Sequence, residues 1–202
     1  MKKIIALSVI ITVFIGITSC KKSDKAAEPA VTESTTEQAV EPTAEAATDG
    51  RGYIVNVGDQ APDFTIEYLD GTTKQLSELK GKLVMLQFTA SWCGVCRKEM
   101  PFIEKDIWIK HKDNPNFVLL GIDLKEDKET TAKFAETMKI TYPLTLDLDG
   151  SRFALYTEPN AGVTRNIIID KEGKIVLLTR LFEMEEFNSM TKFIDDYLST
   201  NF

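Results

Sequence analysis

Histidine and cysteine are scarce in this chain of 202 residues, which has one histidine and three cysteines. That scarcity argues against a structural zinc site, which needs four ligands set out in two close pairs. Beside the pair Cys93 and Cys96, only Cys20 and His111 remain, and they stand far apart in sequence. A covalently held c-type haem is excluded as well, because Arg97 rather than histidine follows the second cysteine. Positive charge is in deficit: 24 Lys and Arg against 31 Asp and Glu leave a net charge of −7. Nothing strongly basic is present to neutralise phosphates, so no nucleic-acid partner is expected. The apolar run Ile4 to Ile17 falls short of the ~20 residues of a membrane-spanning helix. No internal repeat is visible, and the length suits one domain with extra segments.

What the chain does have is Ser91-Trp92-Cys93-Gly94-Val95-Cys96-Arg97-Lys98-Glu99-Met100-Pro101. The apolar run Lys82 to Phe88 before it reads as a buried strand. After it, Met100, Ile103, Ile107 and Trp108 recur at helical spacing. The cysteine pair therefore falls at a strand-to-helix junction. A helix N-terminus offers unpaired N–H groups and the positive end of the helix dipole, and both favour thiolate over thiol. The thiolate is the attacking species in disulfide exchange, and this spacing lets the second thiol attack the mixed disulfide made by the first. No cofactor is needed.

The N-terminus reads as a targeting segment. Met1-Lys2-Lys3 is a basic start, followed by the apolar run, and residues 1–19 form a signal peptide. Ile17-Thr18-Ser19-Cys20 resembles a bacterial lipobox, with Cys20 as the lipidated first residue of the mature chain. The other reading is a plain signal peptide or an uncleaved anchor with a chance cysteine. Residues 20–52 are rich in Ala, Glu, Thr and Pro, without a periodic apolar face, and are expected to be a disordered tether. The folded domain is expected over 53–202.

Within that domain, Asp63 to Leu69 alternates like a half-buried strand. Asp70-Gly71 turns the chain and Thr72 to Leu76 returns, which makes an N-terminal hairpin. A short helical turn at Leu76–Leu79 leads to the strand Leu83–Thr89. The helix after the cysteines is expected to run from Cys93 to about Lys112, kinked at Pro101, with Trp108 in the core and His111 solvated at its C-terminus. Further strands are expected at Asn116–Asp123, Tyr142–Asp147, Ile167–Ile169 and Lys174–Leu181. Helices are expected at Lys125–Lys139, Ser151–Thr157 and Glu185–Leu198. The charge run Lys125 to Glu129 reads as a solvated face.

Trp92-Cys93-Gly94-Val95-Cys96 with Pro101 resembles a thioredoxin-fold active site. Val57 to Phe64, Leu76 to Lys82 and Ile167 to Ile175 extend the resemblance to TlpA/ResA-type thiol-disulfide oxidoreductases, in the redoxin (AhpC/TSA) branch of the thioredoxin superfamily. The resemblance implies an α/β, thioredoxin-like fold. A central mixed β-sheet would be flanked by helices, with an N-terminal β-hairpin and a central helix-strand insertion. It implies a redox-active Cys93–Cys96 disulfide, with Cys93 attacking and Cys96 resolving. Trp92 is expected to be a packing and docking surface.

Relatives often bury an acid where Gln87 stands. Gln87 is therefore expected to be a hydrogen-bonded buried amide, and Glu99, one turn beyond Cys96, is the candidate acid in its place, alternatively a solvated glutamate. Thr164 stands where relatives carry a cis-proline, so a trans Val163–Thr164 bond, or a strained cis one, is expected, with a Thr164 N–H facing the site. Arg165 is either a cation beside Cys93, as in peroxiredoxins, or a surface residue. The resemblance implies disulfide exchange with envelope proteins, in the direction of reduction and in a role like cytochrome c maturation, while the residues alone leave the direction of electron flow open. The implied partners are protein disulfides or dithiols, an electron-donor redox protein and, through Cys20, the membrane on its periplasmic side. A monomer is expected. Two other functions fit parts of the pattern: a peroxiredoxin-like thiol peroxidase, although Ala90 replaces the threonine of that family, and a non-enzymatic copper-binding chaperone using His111.

Overall fold

The computed structural model describes residues 50–202. The signal peptide, Cys20 and nearly all of the tether lie outside the described residues. The chain order is β1 (Thr65–Glu67), β2 (Thr73–Gln75), a 3-10 turn at Leu76–Leu79, β3 (Leu83–Thr89), α1 (Gly94–Ile103), a π-helical segment at Glu104–Trp108 and α2 (Ile109–His111). Then follow β4 (Phe117–Leu124), α3 (Lys128–Met138), β5 (Leu144–Asp147), α4 (Ser151–Ala154), β6 (Arg165–Ile169), β7 (Ile175–Arg180) and α5 (Met184–Thr200). β1 and β2 form the expected hairpin, turned by Asp70, whose Oδ1 accepts from the Thr72 N–H at 2.9 Å.

The main sheet has the strand order β5-β4-β3-β6-β7. β3 pairs in parallel with β4 and antiparallel with β6, so the sheet is mixed, with the cysteine-delivering strand at its centre. All seven residues of β3 are buried, as an apolar central strand requires. Side-chain alternation divides the core. Val84, Leu86, Phe88, Ile167 and Ile169 face one cluster, with Tyr53, Phe153, Tyr156 and both cysteines. Leu83, Met85 and Ile168 face the other, where Met100, Ile103 and Ile107 of the long helix meet Phe187, Met190, Ile194 and Leu198 of α5. That spacing within α5 is a helical stripe and accounts for its packing.

The helix after the cysteines differs from expectation in detail. Pro101 sits inside α1, and the Glu104 N–H reaches the carbonyls of both Met100 and Pro101 where the π-helical segment begins. Proline removes one rung of the ladder, and a π turn is a common way to absorb such a defect. Trp108 is half-buried rather than fully in the core, and its indole N–H donates to Thr141 Oγ1 at 2.9 Å. His111 is not solvated: its side chain is 15% exposed, its Nε2 lies 2.6 Å from Asp195 Oδ1, and its ring meets Phe117 edge-on. Contacts with the domain begin before Tyr53, since Arg51 Nη1 donates to the Leu178 carbonyl at 2.9 Å.

Candidate active site

β3 ends at Thr89, and a turn closed by the Cys93 N–H on the Ala90 carbonyl (3.1 Å) carries the chain to α1. Cys93 is the N-cap: its Sγ accepts from the Cys96 N–H at 3.2 Å. Cys93 and Cys96 are joined in a disulfide, with Cα atoms 5.3 Å apart. Cys96 is fully buried and Cys93 is 9% exposed, while the neighbouring Trp92 is 65% exposed. The sulfur nearer solvent thus lies beside an uncovered indole, as an attacking thiol with a docking surface would.

Thr164 comes from the opposite side. Its Oγ1 lies 3.1 Å from Cys93 Sγ and 3.0 Å from Cys96 Sγ. With both sulfurs in a disulfide, only the hydroxyl can donate. Thr164 is buried and holds φ at +70°, a region that β-branched residues rarely adopt. Such a conformation costs about 1–3 kcal/mol and persists only where the surroundings enforce it. Here the Thr164 N–H donates to the Phe88 carbonyl at 3.2 Å and its carbonyl accepts from Leu181 at 2.9 Å. The N–H expected to face the site is therefore spent on the sheet, and the hydroxyl faces the sulfurs instead.

Arg165 departs from the surface reading. It is 1% exposed, so it is no surface residue. Its guanidinium lies 4.4 Å from the centre of the Tyr53 ring, and its Nε donates to the Gly162 carbonyl at 2.9 Å. Its partner across the strands, Phe88, and the stacked Tyr53 both belong to the core layer that holds the cysteines, so Arg165 stands on the sulfur side of the sheet.

Glu99 is buried at 2% exposure. Its Oε1 accepts from Asn166 Nδ2 at 2.6 Å and its Oε2 from Gln87 Nε2 at 3.3 Å. Gln87 Oε1 in turn accepts from the Tyr142 hydroxyl at 2.8 Å. Burial pushes the Glu99 carboxyl up to about 7, against the pull of its two amide donors. Gln87 and Asn166 are directly opposed on β3 and β6, so two amides on neighbouring strands hold one acid between sheet and helix. Asn166 and Tyr142 were missed from sequence. The available signal was a polar amide inside an apolar strand, Asn166 before Ile167-Ile168-Ile169, matching Gln87 in its own run. The charge run after β4 is exposed except at Glu126, which is half-buried against the turn before the cysteines.

A thioredoxin-like sheet with a Cys-x-x-Cys disulfide at the N-terminus of the following helix defines the class: a thiol-disulfide oxidoreductase. Comparison with known proteins narrows it. The AhpC/TSA family model matches residues 57–178, and the chain belongs to that family. It is 33% identical over 121 residues to the thiol-disulfide oxidoreductase ResA of Geobacillus thermodenitrificans, covering 60% of this chain and 67% of that one. Among solved structures it resembles one described as a protein disulfide isomerase from Bacteroides thetaiotaomicron, with 59% identity and a TM-score of 0.71, over 73% of this chain and 93% of that one. It also resembles a thiol:disulfide interchange protein DsbE from Chlorobium tepidum, with 27% identity and a TM-score of 0.63, over 71% and 99% of the two chains.

Proposed function

We propose that the protein is a reductase of protein disulfides in the bacterial cell envelope, held at the membrane by lipid on Cys20. The observation that carries the dithiol assignment is the asymmetry of the sulfurs. Cys93 reaches solvent beside Trp92, whereas Cys96 is sealed inside, one helical turn before a buried acid. In the reduced protein the Cys93 thiolate attacks one sulfur of the substrate disulfide. That bond breaks, the departing substrate thiolate takes a proton, and a mixed disulfide forms on Cys93. Cys96, giving its proton to Glu99, then attacks Cys93 Sγ. The Cys93–Cys96 bond forms, the mixed disulfide breaks, and the second substrate sulfur leaves as a thiolate that takes up a proton. Two electrons have passed to the substrate, and a dithiol donor must return them. The Thr164 hydroxyl, within reach of both sulfurs, donates to whichever carries the charge.

The envelope location rests on the lipobox-like sequence before Cys20 and on the ResA and DsbE relatives. On the same resemblance, apocytochrome c belongs among the candidate substrates. The peroxidase reading is not favoured, because Ala90 stands where that family carries its threonine. The copper-chaperone reading is not favoured either: His111 is engaged with Asp195 at the far end of a helix that runs about 25 Å from the cysteines.

Reduced protein should reduce insulin, Cys93→Ser should abolish this, and Cys96→Ser should accumulate a mixed disulfide. A reduction potential near the roughly −270 mV of thioredoxin supports reduction, whereas one near the roughly −120 mV of DsbA would reverse the assigned direction.

A further inference from the structure

Ser91 is the second residue before Cys93 and the immediate neighbour of Trp92, and side chains hold all its polar groups. Its N–H donates to Glu126 Oε2 at 2.6 Å and its hydroxyl to Glu126 Oε1 at 2.6 Å. Its carbonyl accepts from Arg97 Nη1 at 3.2 Å. Glu126 sits in the loop between β4 and α3, and the neighbouring Asp127 caps α3 through the Thr130 N–H at 2.8 Å. One carboxylate taking two short bonds from one residue is the strong, directional form of a charged hydrogen bond.

We propose that Glu126 is a positioning residue for the dithiol: its carboxylate, backed by Asp123, fixes the Ser91–Trp92 segment so that the indole and Cys93 are presented together to a protein disulfide. The inference rests on the dithiol-reductase reading above.

Asp123 supplies the backing. It ends fully buried near the close of β4, and neither of its carboxylate oxygens receives a hydrogen bond. A buried carboxyl in that position keeps its proton. Burial, then the neighbouring Glu126 carboxylate, lift Asp123 to about 8. At neutral pH it is therefore uncharged, beside the Glu126 carboxylate. Burial alone would raise Glu126, but the neighbouring Asp123 carboxyl and the bonds from Ser91 outweigh that and hold it below the usual carboxylate range. Glu126 thus stays charged while facing Ser91, and Asp123 stays neutral behind it, so the two acids do not repel.

An exposed Trp92 needs such a fixture. The turn at Ala90–Cys93 has only the Cys93 N–H bond of its own backbone to hold it, and a large indole on a loose turn would lose orientation before docking. Small disulfides have little surface to place against Trp92 and depend less on its position.

The test compares insulin with glutathione disulfide for the wild type, Glu126→Ala, Ser91→Ala, the double variant, and Asp127→Ala. Asp127→Ala removes the α3 cap next door and serves as the control for a purely structural loss. Glu126→Ala should lower kcat/KM for insulin about tenfold, the size of losing a hydrogen bond to a charged group, mainly through KM. The loss should be smaller for glutathione disulfide. Ser91→Ala should act in the same direction, and the double variant should be no worse than Glu126→Ala alone. Equal losses on both substrates, additive effects, or an equal rise of KM in Asp127→Ala would overturn the clamp. A wild type that cannot reduce insulin would instead overturn the reductase reading.

Discussion

Glu99→Gln is the most direct probe of the buried acid. Its carboxyl is pushed from 4.5 to about 7, chiefly by burial. Between those two values the folded protein keeps a proton that the unfolded chain releases. Stability is therefore full below pH 4.5, falls as pH rises, and levels off a little above pH 7. One pKa unit corresponds to 1.36 kcal/mol, so the fall due to Glu99 alone is about 3 kcal/mol. Glutamine is uncharged throughout and removes that slope. It also fits: its carbonyl can accept from Asn166, and Gln87 can turn its amide so that its own carbonyl faces the new NH2 while Tyr142 accepts on the other side. The assay is urea unfolding of the oxidised form from pH 4 to pH 8, where the disulfide keeps the cysteines from titrating. Asp123, raised to about 8, adds a slope of its own in an overlapping range and is present in both proteins. The readout is thus the difference between the two curves. Identical pH dependence in wild type and Glu99→Gln would refute the assignment of a neutral-range proton to Glu99.

Thr164 and Arg165 give a contrasting pair. Thr164→Val keeps the branched shape and loses the donor, and should raise the Cys93 thiol pKa by about one unit. Thr164→Ser should restore it, and iodoacetamide alkylation rates against pH measure both. Arg165→Met should leave that pKa unmoved while lowering stability by about 1–2 kcal/mol through the lost contact with Tyr53; a moved thiol pKa would place the cation near the sulfurs after all. Cys20→Ser should shift the protein from the membrane fraction to the soluble fraction with insulin reduction intact, and loss of reduction in the soluble variant would give Cys20 a redox role.

Much of the fold was legible because its signals are local. The hairpin around Asp70-Gly71, the apolar β3 and the helix after the cysteines follow from turn chemistry and periodicity, with ends displaced by a few residues. The site was legible only where its chemistry is contiguous. Cys93 and Cys96 share a motif, but Glu99 of α1 meets Gln87 of β3 and Asn166 of β6, and Tyr142 joins through Gln87 from the loop before β5. The position of Thr164 stood out, yet its left-handed backbone did not, because threonine is a poor choice there and only the surrounding sheet imposes it. Arg165 was left between two readings because a sequence does not say what covers the first residue of a strand; here Tyr53, more than a hundred residues away, does so. Glu126 was misread because the other four residues of the charge run are solvated and it alone is turned inward.

The division of the core by β3 has a consequence for how this enzyme can diversify. The sulfurs belong to the layer with Tyr53, Phe153 and Tyr156, while Gln87 and Tyr142, which govern the proton on Glu99, face the layer beneath the helix. Electron chemistry and proton storage are thus built on opposite sides of one wall and meet only at its end. Substitutions that reshape the sulfur side for a new client protein leave the acid's surroundings in place, and those that retune the acid leave the docking face alone. The sheet works as a partition between two separately adjustable controls.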